Sequence, residues 1–204
     1  MFGDLSGLQL LMLLVAILVS MVVHESMHAY VGYKLGDDTA RLMGRISLNP
    51  LRHIDPFATV LLPIITLLAF HAPILAAKPV PFNPAQVKWD EYGAALIAAA
   101  GPFSNLFMAI VVAFFTRFVA SGTLVADFLG IFIVINVALF VFNMLPIPPL
   151  DGSRVFYAFA PEPVQRVMEQ IEPYGLFIVF GLVIFGGLSS LIIHLNDSIL
   201  RLLP

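Results

Sequence analysis

Five long apolar segments run through this sequence, and they constrain its fold more than any other feature. They cover residues 8–30, 56–77, 93–116, 128–145 and 174–193. Each approaches the ~20 residues that a helix needs to cross a hydrocarbon core about 30 Å thick. We therefore predict an all-α polytopic membrane protein with four to five transmembrane helices.

The composition agrees with a lipid environment and excludes several functions. Hydrophobic residues make up 60% of the chain and charged residues 11%, and the mean hydropathy is +0.97. A soluble domain of this size would need more polar surface to cover its core. The net charge of −3 is small and scattered, which argues against a nucleic-acid partner. The absence of cysteine excludes disulfides, thiolate nucleophiles and cysteine-ligated metals.

The connections between these segments differ in character. Residues 41–48 alternate apolar and polar side chains, which predicts a short β-hairpin at the membrane edge. Residues 76–83 contain several prolines and are expected to be extended. Residues 153–173 mix charges with large apolar side chains, a pattern typical of short interfacial helices or of an ordinary solvated loop.

The third apolar segment is rich in small side chains between residues 94 and 101. Small residues let helix backbones approach closely in lipid. We therefore expect this helix at the centre of the bundle.

The motif His24-Glu25-Ser26-Met27-His28 lies near the C-terminal end of the first segment. A spacing of four residues puts His24 and His28 on one face of a helix, where both can hold one zinc ion. Glu25 is placed beside them to take a proton from water at the metal. The same pattern also occurs by chance in helices without a metal. Three such polar groups in an apolar run cost several kcal/mol to bury, on the order of 2.5–3.5 kcal/mol for a charge alone, which favours the metal site.

A third ligand is expected, because catalytic zinc sites commonly have three protein ligands. Asp151 is the best candidate, since it ends a proline-rich stretch directly after the fourth segment. The prolines break the helix, and Gly152 allows a tight turn near the metal. The alternative is that Asp151 only caps a following helix.

Three amides lie in apolar surroundings and each needs a partner within the bundle. Asn143 is close in sequence to Asp151, so we predict a catalytic role in steadying the carbonyl oxyanion or the substrate strand. Asn105 and Asn136 are expected to form interhelical hydrogen bonds instead.

These motifs together resemble the site-2 protease family of intramembrane zinc metalloproteases, in its short form without PDZ or CBS domains. The resemblance covers residues 24–155, with Ala58 where a glycine is expected. The matching stretches are HESMHAYVGYKLGDDTA at 24–40, GRISLNPLRHIDP at 44–56, LLP at 61–63, AKPVPFNP at 77–84, AGPFSN at 100–105 and FNMLPIPPLDGSRV at 142–155.

The resemblance implies that His24, His28 and Asp151 bind one Zn²⁺ per chain and that Glu25 is the catalytic acid/base. It also implies that the substrates are transmembrane segments of other proteins. We expect one membrane-embedded domain over residues 1–204, with a catalytic core at about 8–155 and an interfacial segment and last helix at 156–204.

The topology follows from the positions of the predicted ligands. His28 and Asp151 both lie near the C-terminal ends of their segments, so the two helices must be parallel to share a metal. One of the two intervening segments then cannot cross, and residues 56–77, with Pro63 and Pro73, are the candidate re-entrant segment. Eight of the ten basic residues then share a side: Lys34, Arg41, Arg45, Arg52, Lys78, Lys88, Arg154 and Arg166. The positive-inside rule makes that side cytoplasmic and puts the active site near it.

Two other classes of protein compete with the protease. A metal transporter also has histidines and carboxylates in its helices, but they would be spread along a path rather than concentrated at one site. A protein that binds membrane clients without cutting them would retain the same motifs.

Overall fold

The computed structural model describes residues 6–53, 80–184 and 188–204. The helices in these ranges are α1 Gly7–Lys34, α2 Thr39–Leu42, α3 Asp90–Thr116, α4 Leu124–Asn143, α5 Asp151–Phe159, α6 Glu162–Ile171, α7 Gly175–Ile184 and α8 Ser189–Leu202. Single 3₁₀ turns lie at Pro50–Arg52, Pro84–Gln86 and Glu172–Tyr174. Every regular element in the described ranges is helical, which confirms the predicted all-α class.

Three of these helices, α1, α3 and α4, are long and apolar enough to cross a membrane. The predicted segment 174–193 is instead divided between α7 and α8, with residues 185–187 outside the described ranges. The described part of α7 has 10 residues and is about 15 Å long. The predicted re-entrant segment 56–77 also lies outside the described residues.

The first spanning helix begins at a sequence signal that fixes its start. Ser6 and Gln9 form a capping box: the backbone N–H of Gln9 donates to the Ser6 hydroxyl, and that of Ser6 donates to the Gln9 side chain. Thr123 caps α4 in a similar way, since its hydroxyl accepts from Ala126 N–H. These caps satisfy backbone donors that would otherwise be unpaired at the ends of apolar helices.

The side-chain contacts between helices define their directions. Asn105 of α3 contacts Ser20 of α1, whereas Ile97, earlier in α3, contacts His28, later in α1. The two helices are therefore antiparallel. Asn136 of α4 contacts Ser20 as well, and the chain following α4 reaches the C-terminal half of α1, so α1 and α4 are parallel.

Helix α3 lies at the centre of the bundle, as its small residues predicted. It packs against α1, α4 and α5. Its buried face includes Ala95, Ala98, Gly101, Ala109 and Ala113. Backbones can approach closely along such a face, which brings the polar groups of three helices within hydrogen-bonding distance.

The stretch that follows α1 contacts the stretch that precedes α3 at one end of this bundle. The backbone N–H of Lys88 donates to the Leu35 carbonyl over 2.9 Å, and that of Asn83 donates to the Asp37 carboxylate over 2.7 Å. Asp37 follows Gly36 in the sequence, a pattern that favours a solvated turn, but Asp37 is 1% exposed, so that interpretation is wrong. The Asp37 carboxylate can be buried because it accepts hydrogen bonds from the backbone N–H groups of Thr39 and Asn83.

The β-hairpin predicted over residues 41–48 is not found in that stretch, which is fully described. Arg41 and Leu42 belong to α2, and residues 43–48 contain turns without a strand. Gly44 has a φ of 69°, which turns the chain. The alternation has a different origin, because Arg45 is buried and donates to the carbonyl of Arg52, while Leu42 and Leu48 are exposed.

Residues 153–173 form mainly the two short helices α5 and α6 rather than an ordinary loop. The Tyr157 hydroxyl donates to Glu169 over 2.6 Å, and Arg154 forms an ion pair with Glu172. The Glu169 carboxylate raises the pKa of Tyr157 because it accepts the phenolic proton. Phe156 and Phe159 are exposed, in agreement with helices that lie at an apolar interface.

Candidate metal centre

The side chains of His24, His28 and Asp151 converge on one point. The Asp151 Oδ2 atom lies 3.2 Å from His24 Nε2 and 3.4 Å from His28 Nε2. Both imidazoles are buried, and the Asp151 side chain is 23% exposed. Among the described residues, these three form the one group of histidines and acids close enough to hold a metal ion.

Helix α1 supplies both imidazoles. A spacing of four residues brings the two rings 4.6 Å apart, nearly perpendicular to each other at 82°. Their Nε2 atoms both face Asp151, as expected from the motif.

Asp151 reaches the imidazoles because the first turn of α5 packs closely against the C-terminal end of α4. A Cβ atom at Gly152 would overlap the Met144 carbonyl, so only glycine allows this approach. Leu145 and Leu150 are buried at the two ends of the proline-rich connection and pack against α7. The connection is thereby held in place, with Asp151 as the first residue of α5.

Asp151 lies outside the three spanning helices, and its charge state is set by its two neighbours. Burial raises the pKa of its carboxyl, but hydrogen bonds from His24 and His28 in their protonated form outweigh burial and lower the pKa to about 2. The carboxylate is therefore ionised at neutral pH, the form in which it binds metals.

Gly101 of α3 leaves open the space in front of the two imidazoles. A Cβ atom there would lie 2.6 Å from His24 Nε2 and would also overlap His28 Nε2. The sequence predicted small residues in α3 for helix packing alone. The structure shows that at Gly101 the missing side chain also keeps the ligand atoms accessible.

Zinc fits this donor set. Ligand atoms about 2.0–2.2 Å from a tetrahedral zinc ion lie roughly 3.3–3.5 Å from one another. The separations of 3.2 and 3.4 Å between Asp151 and the imidazoles are close to that value. Two imidazoles and one carboxylate are also a known ligand set of catalytic zinc, which leaves a fourth position for water or substrate.

The other ring nitrogens of the two histidines bond to α3. His28 Nδ1 lies 2.7 Å from the Ile97 carbonyl oxygen, and His24 Nδ1 lies 2.6 Å from Asn105 Oδ1. The predicted interhelical role of Asn105 and Asn136 is confirmed, since their amides bond to each other over 2.8 Å. The contact of Asn105 with His24 was not predicted, although an amide in an apolar segment is a signal for such a partner.

Glu25 and Asn143 are the two residues predicted to be catalytic. Glu25 is half-buried, and its charge interacts with those of His24, His28 and Asp151. The Asn143 side chain donates to the Leu139 carbonyl of its own helix over 2.9 Å. Among the described contacts, Glu25 is thus associated with the metal centre, whereas Asn143 lies beside the connection that leads to it.

His53 and His194 have no second histidine at ligand spacing in the sequence, and neither belongs to the metal group. His53 is buried and donates from Nε2 to the Ser47 carbonyl over 2.7 Å. His194 is exposed and bonds to the Ser190 carbonyl. His71 lies outside the described residues.

Comparisons with known proteins agree with this geometry. The sequence profile of peptidase family M50 matches residues 118–186, which include Asp151. The chain is 39% identical to YwhC of Bacillus subtilis (strain 168), a candidate zinc metalloprotease, over 93% of this chain and 90% of that protein. The chain belongs to the site-2 protease family of zinc metalloproteases, peptidase family M50.

Other relatives of this zinc metalloprotease are more distant. It is 27% identical to Rip2 of Mycolicibacterium smegmatis, a candidate zinc metalloprotease, over 84% of this chain and 66% of that protein. It is 28% identical to Rip2 of Mycobacterium tuberculosis (strain ATCC 35801 / TMC 107 / Erdman), described in the same way, over 82% of this chain and 64% of that protein. No solved structure matches the chain.

Proposed function

We propose that this metalloprotease hydrolyses peptide bonds within or beside transmembrane segments of other membrane proteins. The observation that carries the proposal is that Asp151 lies close to His24 and His28, which belong to a helix long and apolar enough to span a bilayer. Membership of the family indicates zinc protease chemistry. The position of the two histidines along α1 indicates that the reaction takes place within the membrane. We propose one zinc ion per chain, held by these three side chains.

The depth of the centre follows from helix geometry. His24 and His28 lie ten and six residues before the end of α1 at Lys34. At 1.5 Å per residue, these distances are roughly 15 and 9 Å along the helix axis. A centre at that depth favours a peptide bond below the membrane surface but near one face.

Glu25 is proposed as the general acid/base. Zinc, when bound, activates water and polarises a peptide carbonyl for hydrolysis. Glu25 would take a proton from the attacking water and return a proton to the amine that leaves. Its carboxylate is close enough to His24, His28 and Asp151 for their charges to interact, which supports this role.

Asn143 and the connection after it are proposed to hold the substrate. A helical substrate must unwind before its carbonyl is accessible, since its carbonyls are otherwise hydrogen-bonded within the helix. Residues 146–150 form a non-helical stretch beside Asp151, in which Pro146 and Pro149 are exposed. Carbonyls of this stretch can accept from the unwound strand, and the Asn143 amide has a second N–H available to a carbonyl oxyanion.

We also propose that the active-site end of the bundle faces the cytoplasm. The contacts of Leu35 with Lys88 and of Asp37 with Asn83 support an arrangement in which the chain between them leaves and returns at the same end. This agrees with a re-entrant segment at residues 56–77 and with most basic residues on one side. The whole of residues 1–204 is proposed to form one membrane-embedded domain, with its catalytic core at about 8–155.

Substitution of Glu25 tests the proposed function. The purified protein is placed in liposomes with a reporter that has one transmembrane helix weakened by glycine and proline, and cleavage and bound zinc are measured. We expect Glu25→Gln to abolish cleavage while zinc stays near one ion per chain. The matched control is Glu91→Gln, which alters an exposed acid in the first turn of α3. Cleavage that survives in Glu25→Gln refutes the proposed mechanism, and a reporter that is bound but never cut by the unsubstituted protein favours a client-binding protein instead.

A further inference from the structure

A chain of buried polar side chains connects the metal centre to the middle of the bundle. It runs from His24 through Asn105 and Asn136 to Ser20, on helices α1, α3 and α4. Ser20, Asn105 and Asn136 are fully buried, at 0% exposure. Polar groups at such positions are costly unless each is hydrogen-bonded, and here every member has a partner.

The orientation of the Asn136 amide follows from an acceptor that cannot change. Its Nδ2 atom lies 2.8 Å from the carbonyl oxygen of Phe132. A backbone carbonyl only accepts, so the group facing it must be the NH₂ and not the amide oxygen. The second N–H of this group points to the Ser20 hydroxyl oxygen, also at 2.8 Å. The Oδ1 atom of Asn136 is therefore directed at Asn105.

The orientation of Asn105 follows in turn. Its Nδ2 atom lies 2.8 Å from Asn136 Oδ1 and 3.3 Å from the Ser20 carbonyl oxygen. Both of these atoms are acceptors, so the NH₂ group of Asn105 must face them. Its Oδ1 atom is left facing His24 Nδ1, at 2.6 Å.

The last link determines the proton position on His24. Because Asn105 Oδ1 can only accept, the proton of a neutral His24 ring must be on Nδ1. The lone pair is then on Nε2, the atom that faces Asp151. His28 reaches the same tautomer directly, since its Nδ1 faces the Ile97 carbonyl.

We propose that Asn105 is a positioning residue that selects the metal-binding tautomer of His24, and that Asn136 and Ser20 act through it. Two backbone carbonyls, those of Phe132 and Ser20, determine both amide orientations and hence the proton on His24. Zinc affinity therefore depends on the packing of α1, α3 and α4 as well as on the ligands. Hydrogen bonds to the outer nitrogen of a metal-binding histidine are typically worth about 10–100-fold in affinity.

The inference rests on the zinc site of the proposed function, and its test measures metal binding rather than proteolysis. Zinc affinity is determined by competition with a chelator on purified protein in detergent, and the absorption spectrum is recorded after replacement of zinc by Co²⁺. We expect Asn105→Leu to weaken zinc binding about 10–100-fold and to alter the Co²⁺ spectrum. Asn105→Asp retains an acceptor for His24 Nδ1, so we expect it to restore much of the affinity. Asn136→Leu removes the acceptor that orients Asn105, and we expect an intermediate loss.

The matched control is Thr116→Ala, also in α3. It removes a side-chain hydrogen bond to the Ala113 carbonyl but does not touch the metal centre. We expect its zinc affinity to equal that of the unsubstituted protein. Unchanged affinity in Asn105→Leu overturns the inference and leaves the protease proposal intact. Equal loss in the Leu and Asp variants, with an equal fall in thermal stability, identifies a packing role only and also overturns it. A failure of the unsubstituted protein to bind zinc refutes the metal centre itself.

Discussion

The backbone N–H of Asn83 donates a 2.7 Å hydrogen bond to the carboxylate of Asp37, 46 positions earlier in the chain. The same carboxylate accepts the N–H of Thr39 over 2.9 Å. These bonds join the end of α1, which carries His24 and His28, to the approach to α3, which carries their hydrogen-bond partners Ile97 and Asn105. A contact outside the candidate metal centre therefore connects two of the helices that form it.

Loss of the Asp37 carboxylate is expected to destabilise the protein. Asp37→Ala leaves the backbone N–H groups of Thr39 and Asn83 without their acceptor, and a hydrogen bond to a charged group typically contributes about 1.5–3 kcal/mol. Asp38→Ala is the matched control, because Asp38 is exposed and its ion pair with Arg41 at i,i+3 contributes only ~0.2–0.5 kcal/mol. Thermal unfolding in detergent compares the two variants. Equal midpoints contradict the assigned role of Asp37.

Gly101→Ala is expected to disrupt the metal centre. Its Cβ would overlap Nε2 of both His24 and His28, so at least one imidazole must move. We expect zinc affinity to fall more than about tenfold and reporter cleavage to fall with it. Gly130→Ala in α4 is the control, since nothing lies within 4 Å of its added Cβ. Alanine in a helix is more stable than glycine by roughly 0.5–1 kcal/mol, so the control should lose neither zinc nor stability.

Asp151→Ala is expected to lower bound zinc well below one ion per chain, because it removes one of three ligands. Metal analysis of the purified variant measures this directly. Asp197→Ala, which alters an exposed acid in α8, serves as the control. Full zinc content in Asp151→Ala would mean that Asp151 only starts α5 and is not a ligand.

The proposed orientation can be tested with single cysteines, because the chain has none of its own. We expect Asp38→Cys, Gln86→Cys and Glu162→Cys to react with an impermeant thiol reagent from the cytoplasmic side. Ser121→Cys, in the exposed connection between α3 and α4, should react from the opposite side. Labelling of Asp38→Cys and Gln86→Cys from different sides would refute the re-entrant topology. Labelling of all three variants from the outside would show that the orientation is opposite to the one proposed.

Much of the site was predictable because its strongest signals are local. The spacing of His24 and His28 is a property of one helix, and it holds wherever that helix packs. Asp151 was predicted for a different reason, since a third ligand is expected, the chain has no cysteine, and this acid directly follows the fourth apolar segment. The structure brings all three together at 3.2 and 3.4 Å.

The errors came from stretches whose pattern has more than one cause. Residues 41–48 alternate as a strand would, yet Arg45 is buried, where it donates a hydrogen bond to the Arg52 carbonyl, and Leu48 is exposed. Asp37 follows a glycine and reads as a surface turn, but its two N–H partners make burial stable. In both stretches, burial depends on a hydrogen-bond partner outside the stretch, Arg52 for Arg45 and Asn83 for Asp37, which local periodicity does not reveal.

The sequence alone predicted the lipid environment, the helical class and the three residues proposed to bind the metal, because each prediction depends on residue types and local patterns. Only the tertiary structure decided that Gly101 faces the imidazoles and that Asn105 orients His24. Those contacts join residues about 75 to 80 positions apart, on antiparallel helices brought together by small side chains. The physical reason is that amide orientation and Cβ clearance are properties of packed neighbours, which no single helix specifies.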